Sequence, residues 1–280
     1  NFEFIIRKAW YQTWVFRVSL VLFFILSAYL FYIIRMSALK AQKIRLEEQV
    51  RERTHELEVA NTEIEAQRDF ARYQRDQISH QKMAIMDSIQ YAQTIQKSLL
   101  PSSREMQELL PEHFIIFRPR DIVSGDFYWF SDHLQHFYMA VADCTGHGVP
   151  GAFMSMLGMT LLNEIVGKEP SIEPAELLNE LRDQIIRTLH QEGDPGAAKD
   201  GMDMVVCKYD RAGRTLQFAG ANNPLYLLRE GSLLEYKTDK MPVSIHEVMH
   251  PFTPNSLQIH QGDSIYMFSD GYADQFGGPK

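Results

Sequence analysis

An uncharged run, VSLVLFFILSAYLFYII, occupies Val18 to Ile34, and Trp10, Tyr11, Trp14, Val15 and Phe16 extend it upstream. At a rise of about 1.5 Å per residue this is the length of a helix that crosses a hydrocarbon core of about 30 Å. Trp10, Tyr11 and Trp14 at one end and Tyr29 and Tyr32 at the other take the positions of interfacial aromatics, and Arg17 is close enough to the end to snorkel. Residues 14–35 therefore read as a transmembrane helix. Arg35, Lys40, Lys43 and Arg45 outnumber Arg7, Lys8 and Arg17, which favours a cytoplasmic C-terminus and an inner-membrane, single-pass protein.

The pattern then changes. One apolar position recurs every seven residues through Val50, Leu57, Ile64, Ala71, Ile78, Ile85, Ala92 and Leu99, so residues 36–100 read as one helix with a seam. The companion positions stay mostly polar until Ile89 and Ile95, as in a weakly zipped coiled coil, and a parallel homodimer through 46–99 is the expected assembly. A solvated spacer helix is the alternative. Past Pro101 the periods shorten. A short amphipathic turn around Met106–Leu110 precedes strand-like runs at 113–118, 126–131 and 135–143. Helical patterns follow at 151–166 and 174–191, then strands at 202–210, 215–220, 224–229, 233–237 and 263–270. Strands, two helices and more strands predict an α+β layered domain over 101–280.

Composition divides the chain at the same point. All 16 glycines and all 12 prolines lie after residue 100, so the first hundred residues contain no breaker. Residues 1–100 carry 14 Lys and Arg against 11 Asp and Glu, whereas residues 101–280 carry 14 against 25. An acidic C-terminal domain argues against nucleic acid as a partner and suits cations. With Cys144 and Cys207 as the two cysteines, a disulfide scaffold is excluded.

The acidic residues fall at strand ends. Asp126 opens one strand after Ser-Gly, Asp143 closes the next ahead of CTGHGVPG, Asp203 opens the MVVC strand with Asp200 as its rival in DGMD, and Asp270 follows SIYMFS. Singly, each is an ordinary turn residue. Together they form a hard-oxygen set of the kind that Mg²⁺ and Mn²⁺ take, and four carboxylates suffice for two ions.

Five ordered blocks, RPRDIVSGDFYWF (118–130), AVADCTGHGVPGAFMSMLG (140–158), DGMDMVVC (200–207), FAGANNPLYLL (218–228) and MFSDGYADQFGG (267–278), resemble the SpoIIE/RsbU-like branch of the metal-dependent type 2C (PPM) protein phosphatases. IQYAQTIQKSLLP (89–101) resembles the helix thought to transmit regulation into that domain. The resemblance implies an αββα sandwich, an enzyme that hydrolyses phosphoserine or phosphothreonine, and two Mn²⁺ or Mg²⁺ ions. Carried over by position, Asp126 binds one ion, Asp143 bridges both with a catalytic role, the backbone carbonyl of Cys144 is a main-chain ligand, and Asp203 and Asp270 hold the second ion. A water between the ions attacks phosphorus in line. His147 is a candidate proton donor to the leaving oxygen, with a loop role as its competitor. Arg118 and Arg120 read as structural. Cys144 lacks the Cys-x5-Arg loop of thiol phosphatases. The resemblance also implies a phosphorylated anti-anti-sigma-like protein as substrate.

FIIRKAWYQTWVFR resembles the last strand and membrane entry of a periplasmic sensor, so residues 1–13 read as its end, and the family pattern continues past SDGYADQFGG, so the phosphatase fold reads as C-terminally truncated. Two other readings compete. A non-catalytic signalling module would use the same fold to bind a partner. A histidine kinase fragment would use His80 as phosphoacceptor, but no glycine-rich ATP-binding boxes follow it.

Overall fold

A computed structural model describes residues 9–110, 112–192 and 199–272 of the chain. The expected sensor strand over 1–13 lies mostly outside the described residues. The chain divides into two units, 1–81 and 82–280.

The first unit is helical. After a 3₁₀ turn at Trp10–Gln12, helix α1 runs without interruption from Trp14 to Leu99, as the absence of Gly and Pro dictates. Its apolar window has a mean hydropathy of 2.1 and no residue of it is buried. Leu22, Phe24, Leu26 and Phe31 each leave more than half of their surface uncovered, although they point in different directions around the helix. Such a helix needs an apolar solvent or partner. The seam residues Val50, Leu57, Ile64 and Ile78 are likewise exposed along one line, and His80 is exposed.

The second unit opens with the last turns of α1. Pro101 ends the helix, and α2 (Ser103–Leu109) starts on a capping box in which the Glu105 N–H donates to Ser102 Oγ (3.2 Å) and the Ser102 N–H to Glu105 Oε2 (3.0 Å). Five antiparallel strands form the larger sheet: β1 (Phe127–Asp132), β2 (His136–Cys144), β3 (Met202–Asp210), β4 (Thr215–Ala221) and β7 (Asn255–Gln258), in that spatial order. A second antiparallel sheet has the order β6 (Ser232–Tyr236), β5 (Leu225–Arg229), β8 (Ser264–Tyr266). Helices α3 (Gly148–Lys168) and α4 (Pro174–Thr188) join the two halves of the larger sheet in sequence.

Strand β3 shows why the layers stack. Met204 and Val206 join the cluster built with Leu162, Leu178 and Leu181 of the helices, whereas Val205 and Cys207 join Phe218 of β4 and Leu225 of the second sheet. A strand buried on both faces reads as an uninterrupted apolar run, which is what MVVC is. Helix α3 is also apolar enough to cross a membrane, at a mean hydropathy of 1.3, but more than half of that window is buried in this core.

Several expected elements differ. The 113–118 run forms no strand; Phe114 and Ile116 are exposed, and the Phe114 and Phe117 rings lie against Tyr266 and Tyr128. The segment has β-strand composition but pairs with no strand among the described residues. Strand β7 was not anticipated, because NSLQ is four residues of edge strand with little apolar content. The expected strand 263–270 is Ser264–Tyr266, after which the chain turns into a 3₁₀ turn at Asp270–Tyr272. Among the described residues no helix covers the outside of the second sheet at β6, where Ser232 to Glu235 are exposed.

Candidate metal centre

The site begins as a matter of register. Strands β2 and β3 pair so that Asp143 lies directly opposite Asp203, and cross-strand partners share a face of the sheet. Ala142 and Cys144 point into the helical core, so the intervening Asp143 points the other way, toward the layer between the sheets. Asp126 immediately precedes β1, whose first residue Phe127 pairs with Ala142. Asp270 arrives from the second sheet, in the turn after β8.

Ser269, next to Asp270, donates its hydroxyl to Asp126 Oδ2 at 2.7 Å, which ties the two sheets together at this point. Asp126 and Asp270 are the acidic neighbours of Asp143. Burial, the adjacent Asp126 charge and these contacts push the Asp143 carboxyl up to about 8. Asp203 is also raised, first by burial; the Nδ2 of Asn222, donating to Asp203 Oδ1 at 2.7 Å, opposes that rise, Asp270 adds to it, and Lys240 opposes it. The contacts run in pairs: among the described residues no three His, Cys, Asp or Glu side chains are gathered about one point.

Half-buried carboxylates this close repel one another unless protons or cations lie between them. With oxygen as the donor throughout and no thiolate or imidazole among these contacts, the set fits hard divalent ions. The Cys144 thiol is buried and its acidity is suppressed by burial and by the Asp143 and Asp126 charges, which leaves the residue its backbone carbonyl as a polar group. Asp200 lies outside β3, and its carbonyl is held by Gln191 Nε2 at 2.6 Å, so register favours Asp203 of the DGMD pair. His147 sits at the start of α3 as an exposed side chain, with Nδ1 3.1 Å from Asp121 Oδ2, and makes no hydrogen bond to the four aspartates. Arg118 and Arg120 are exposed.

The loop that delivers Asp126 is fastened by residues the sequence did not point to. Gln96, the one buried residue of α1, receives the Ser124 N–H at Oε1 (3.0 Å) and donates from Nε2 to the Ser124 carbonyl (2.6 Å) and to Ser155 Oγ of α3 (2.7 Å). One turn earlier, Gln93 Nε2 donates to the Ile122 carbonyl at 2.5 Å. Leu99, read as the last residue of the dimer seam, packs here against the domain core, together with Leu100. A glutamine pair spaced three apart in an amphipathic turn was the available signal. Beneath this loop the backbones touch. A side chain at Gly151 would put its Cβ 2.4 Å from the Gly146 carbonyl, and one at Gly125 would lie 2.8 Å from the same oxygen. Only glycine allows the Gly125 loop and the first turn of α3 to close on Gly146 at that distance.

Residues 135–279 match the family model described as Stage II sporulation protein E (SpoIIE). The chain belongs to the SpoIIE family. It is 23% identical over 193 residues to "Phosphoserine phosphatase RsbU" of Bacillus subtilis (strain 168), a match that covers 68% of this chain and 54% of that protein, so the chain spans about half the length of this curated relative. Among solved structures it resembles the SiaA-PP2C domain of Pseudomonas aeruginosa, with a TM-score of 0.63 and 32% sequence identity over 71% of this chain and 76% of that one. The strands and carboxylates described above therefore belong to a SpoIIE-family, PP2C-type phosphatase domain.

Proposed function

We propose that this SpoIIE-family chain is a single-pass, membrane-anchored protein serine/threonine phosphatase whose catalytic domain is cytoplasmic and is regulated through α1. The observation that carries the reading is the register that sets Asp143 opposite Asp203, with Asp126 and the Ser269–Asp270 turn brought alongside. Asp143 would bridge two Mn²⁺ or Mg²⁺ ions, Asp126 and the Cys144 carbonyl would complete one site, and Asp203 and Asp270 the other. Bound there, divalent ions acidify a water and neutralise charge on the phosphoryl oxygens.

The chain's own groups would do the positioning. Asn222 fixes one oxygen of Asp203, Ser269 one oxygen of Asp126, and Gln96 the loop before it. With Nδ1 engaged by Asp121, the Nε2 of His147 is the ring nitrogen left to protonate the departing serine oxygen. The phosphoserine phosphatase activity of RsbU makes a phosphoserine protein the first substrate to test, and the family resemblance points to an anti-anti-sigma-like one. With manganese, the full chain in detergent should hydrolyse p-nitrophenyl phosphate and a phosphoserine peptide, and EDTA should remove at least 95% of the rate (about a 20-fold loss, or ~1.8 kcal/mol). Hydrolysis that persists after chelation, or none with either substrate, would overturn the reading.

The exposed apolar window of α1 supports the membrane assignment for 14–35, and the exposed line Val50, Leu57, Ile64 and Ile78 supports a parallel dimer. Because Leu99 is taken up by the domain core, the seam available to a partner stops short of it. Replacing Leu57 and Ile64 with lysine should convert a dimer to a monomer in sedimentation of the detergent-solubilised chain. An unchanged mass would count against the coiled coil.

A further inference from the structure

A phosphate monoester is a dianion, and it must approach four aspartates. Even with two divalent ions bound, the cluster's own formal charge is no more than balanced, so a nearby cation would aid capture of the substrate. Arg118 and Arg120 are exposed and make no hydrogen bond or ion pair with these aspartates. A different element carries a lysine to the site.

Residues 238–244 form a strap laid across the end of the larger sheet next to Asp203. At its start, Thr238 Oγ1 donates to the Asn223 carbonyl (2.9 Å), and Asp239 bridges Ala221, with the Asn222 N–H donating to the Asp239 carbonyl (2.8 Å). At its end, the Val243 N–H donates to the Met202 carbonyl (2.8 Å). The same asparagines hold Asp203, Asn222 at its carboxylate and Asn223 at its backbone carbonyl (3.1 Å). The strap is thus pinned beside Asp203 at both of its ends, and Lys240 lies between the two anchors.

The mount is rigid. The Asp239 carboxylate accepts the Thr253 N–H (2.7 Å) and hydroxyl (2.9 Å), and Met241 and Val243 are buried in the core. Between these anchors Lys240 is exposed and forms no ion pair within 4.0 Å among the described residues, yet its charge reaches Asp203. A lysine needed only to neutralise Asp203 would be expected to close onto it. Here the ammonium stands off from the carboxylate and stays in solvent, where an incoming anion can meet it.

We propose that Lys240 is a substrate-binding residue of this site, the cation that contacts the phosphoryl oxygens of the phosphoserine or phosphothreonine dianion. The proposal rests on the phosphatase reading. Lysine acts as a point charge on a flexible stem, so Arg should substitute and Gln should not.

The test compares wild type, Lys240→Gln and Lys240→Arg in detergent, with Asp143→Asn as the inactive reference. For p-nitrophenyl phosphate with manganese, Lys240→Gln should raise KM about tenfold while kcat stays within about threefold. In calorimetry, inorganic phosphate should bind the manganese-loaded protein about tenfold more weakly. Lys240→Arg should restore both, and all Lys240 variants should keep the wild-type melting temperature and manganese affinity. Unchanged phosphate binding in Lys240→Gln, or a loss confined to manganese affinity, would overturn the proposal and leave the enzyme assignment intact. If the wild type neither hydrolyses the ester nor binds phosphate, the phosphatase reading fails and the proposal fails with it.

Discussion

Changing Asp143 to asparagine is expected to lower manganese-dependent phosphatase activity by about a thousandfold or more, equivalent to about 4 kcal/mol of transition-state stabilisation. The size follows from position. Asp143 has Asp126 and Asp270 as acidic neighbours and is paired in register with Asp203. Asparagine keeps its volume but removes the charge that two cations would share. The stability effect has the opposite sign when divalent ions are chelated. The folded-state acidity of Asp143, about 8 against an ordinary value of 3.8, is raised, so its contribution to stability is present below about pH 4 and is lost as the pH climbs through 8. The asparagine side chain has no such proton to lose. The chelated variant should therefore melt higher than the chelated wild type, by a margin that widens between pH 4 and pH 8 and then levels off. Manganese should reverse the order by stabilising only the wild type. A variant that keeps its activity, or melting curves whose gap does not change with pH, would remove Asp143 from the centre of the site.

The parts of this architecture that were legible in the sequence are those fixed by local pattern. The unbroken helix to Leu99 followed from the missing breakers, and the bounds of β3 followed from an apolar run closed by Asp210. The aspartates were legible because glycine and strand ends flank them. What escaped depends on contacts distant in sequence. No local signal says that 113–118 lacks a strand partner, or that NSLQ finds an edge beside β4. The pairing of His147 with Asp121 spans 26 residues and that of Gln96 with Ser155 spans 59. The strap 238–244, with its buried Met241 and exposed Lys240, alternates too briefly to stand out, and it is positioned by Asn222 and Asn223, which lie about 15 residues before it. Residues that position the four aspartates were thus harder to read than the aspartates themselves, because hydrogen bonds to backbone carbonyls leave little mark on residue type.

Gln96 is where that omission has the largest consequence. Changing it to leucine should weaken manganese binding and lower activity by about 10- to 100-fold, as for other groups that orient a ligand without touching the ion. Leucine fills the space but leaves the Ser124 N–H buried without its acceptor, at a cost of about 1–3 kcal/mol. The Ser124 carbonyl keeps Ser155 Oγ as a donor at 3.0 Å, so the loop should loosen rather than unfold. Asp126 lies two residues further on, so the loosening reaches the ion before it reaches the core. Glutamate at 96 tests the same geometry from the other side. It retains the acceptor for Ser124 N–H but sets a carboxylate against the Ser124 carbonyl, so it should also fail, with a defect that eases at acidic pH as the carboxyl is protonated. The exposed neighbour Lys97 supplies the control, and its change to alanine should leave manganese affinity within about twofold, a difference of roughly 0.4 kcal/mol. Since Gln96 stands on the same continuous helix as the exposed apolar window, any rotation or shift that withdrew its amide would act on the loop before Asp126. If Gln96→Leu lowers the melting temperature while manganese affinity and kcat stay unchanged, the glutamine is a packing residue, and the proposed regulation through α1 loses its contact with the Asp126 loop.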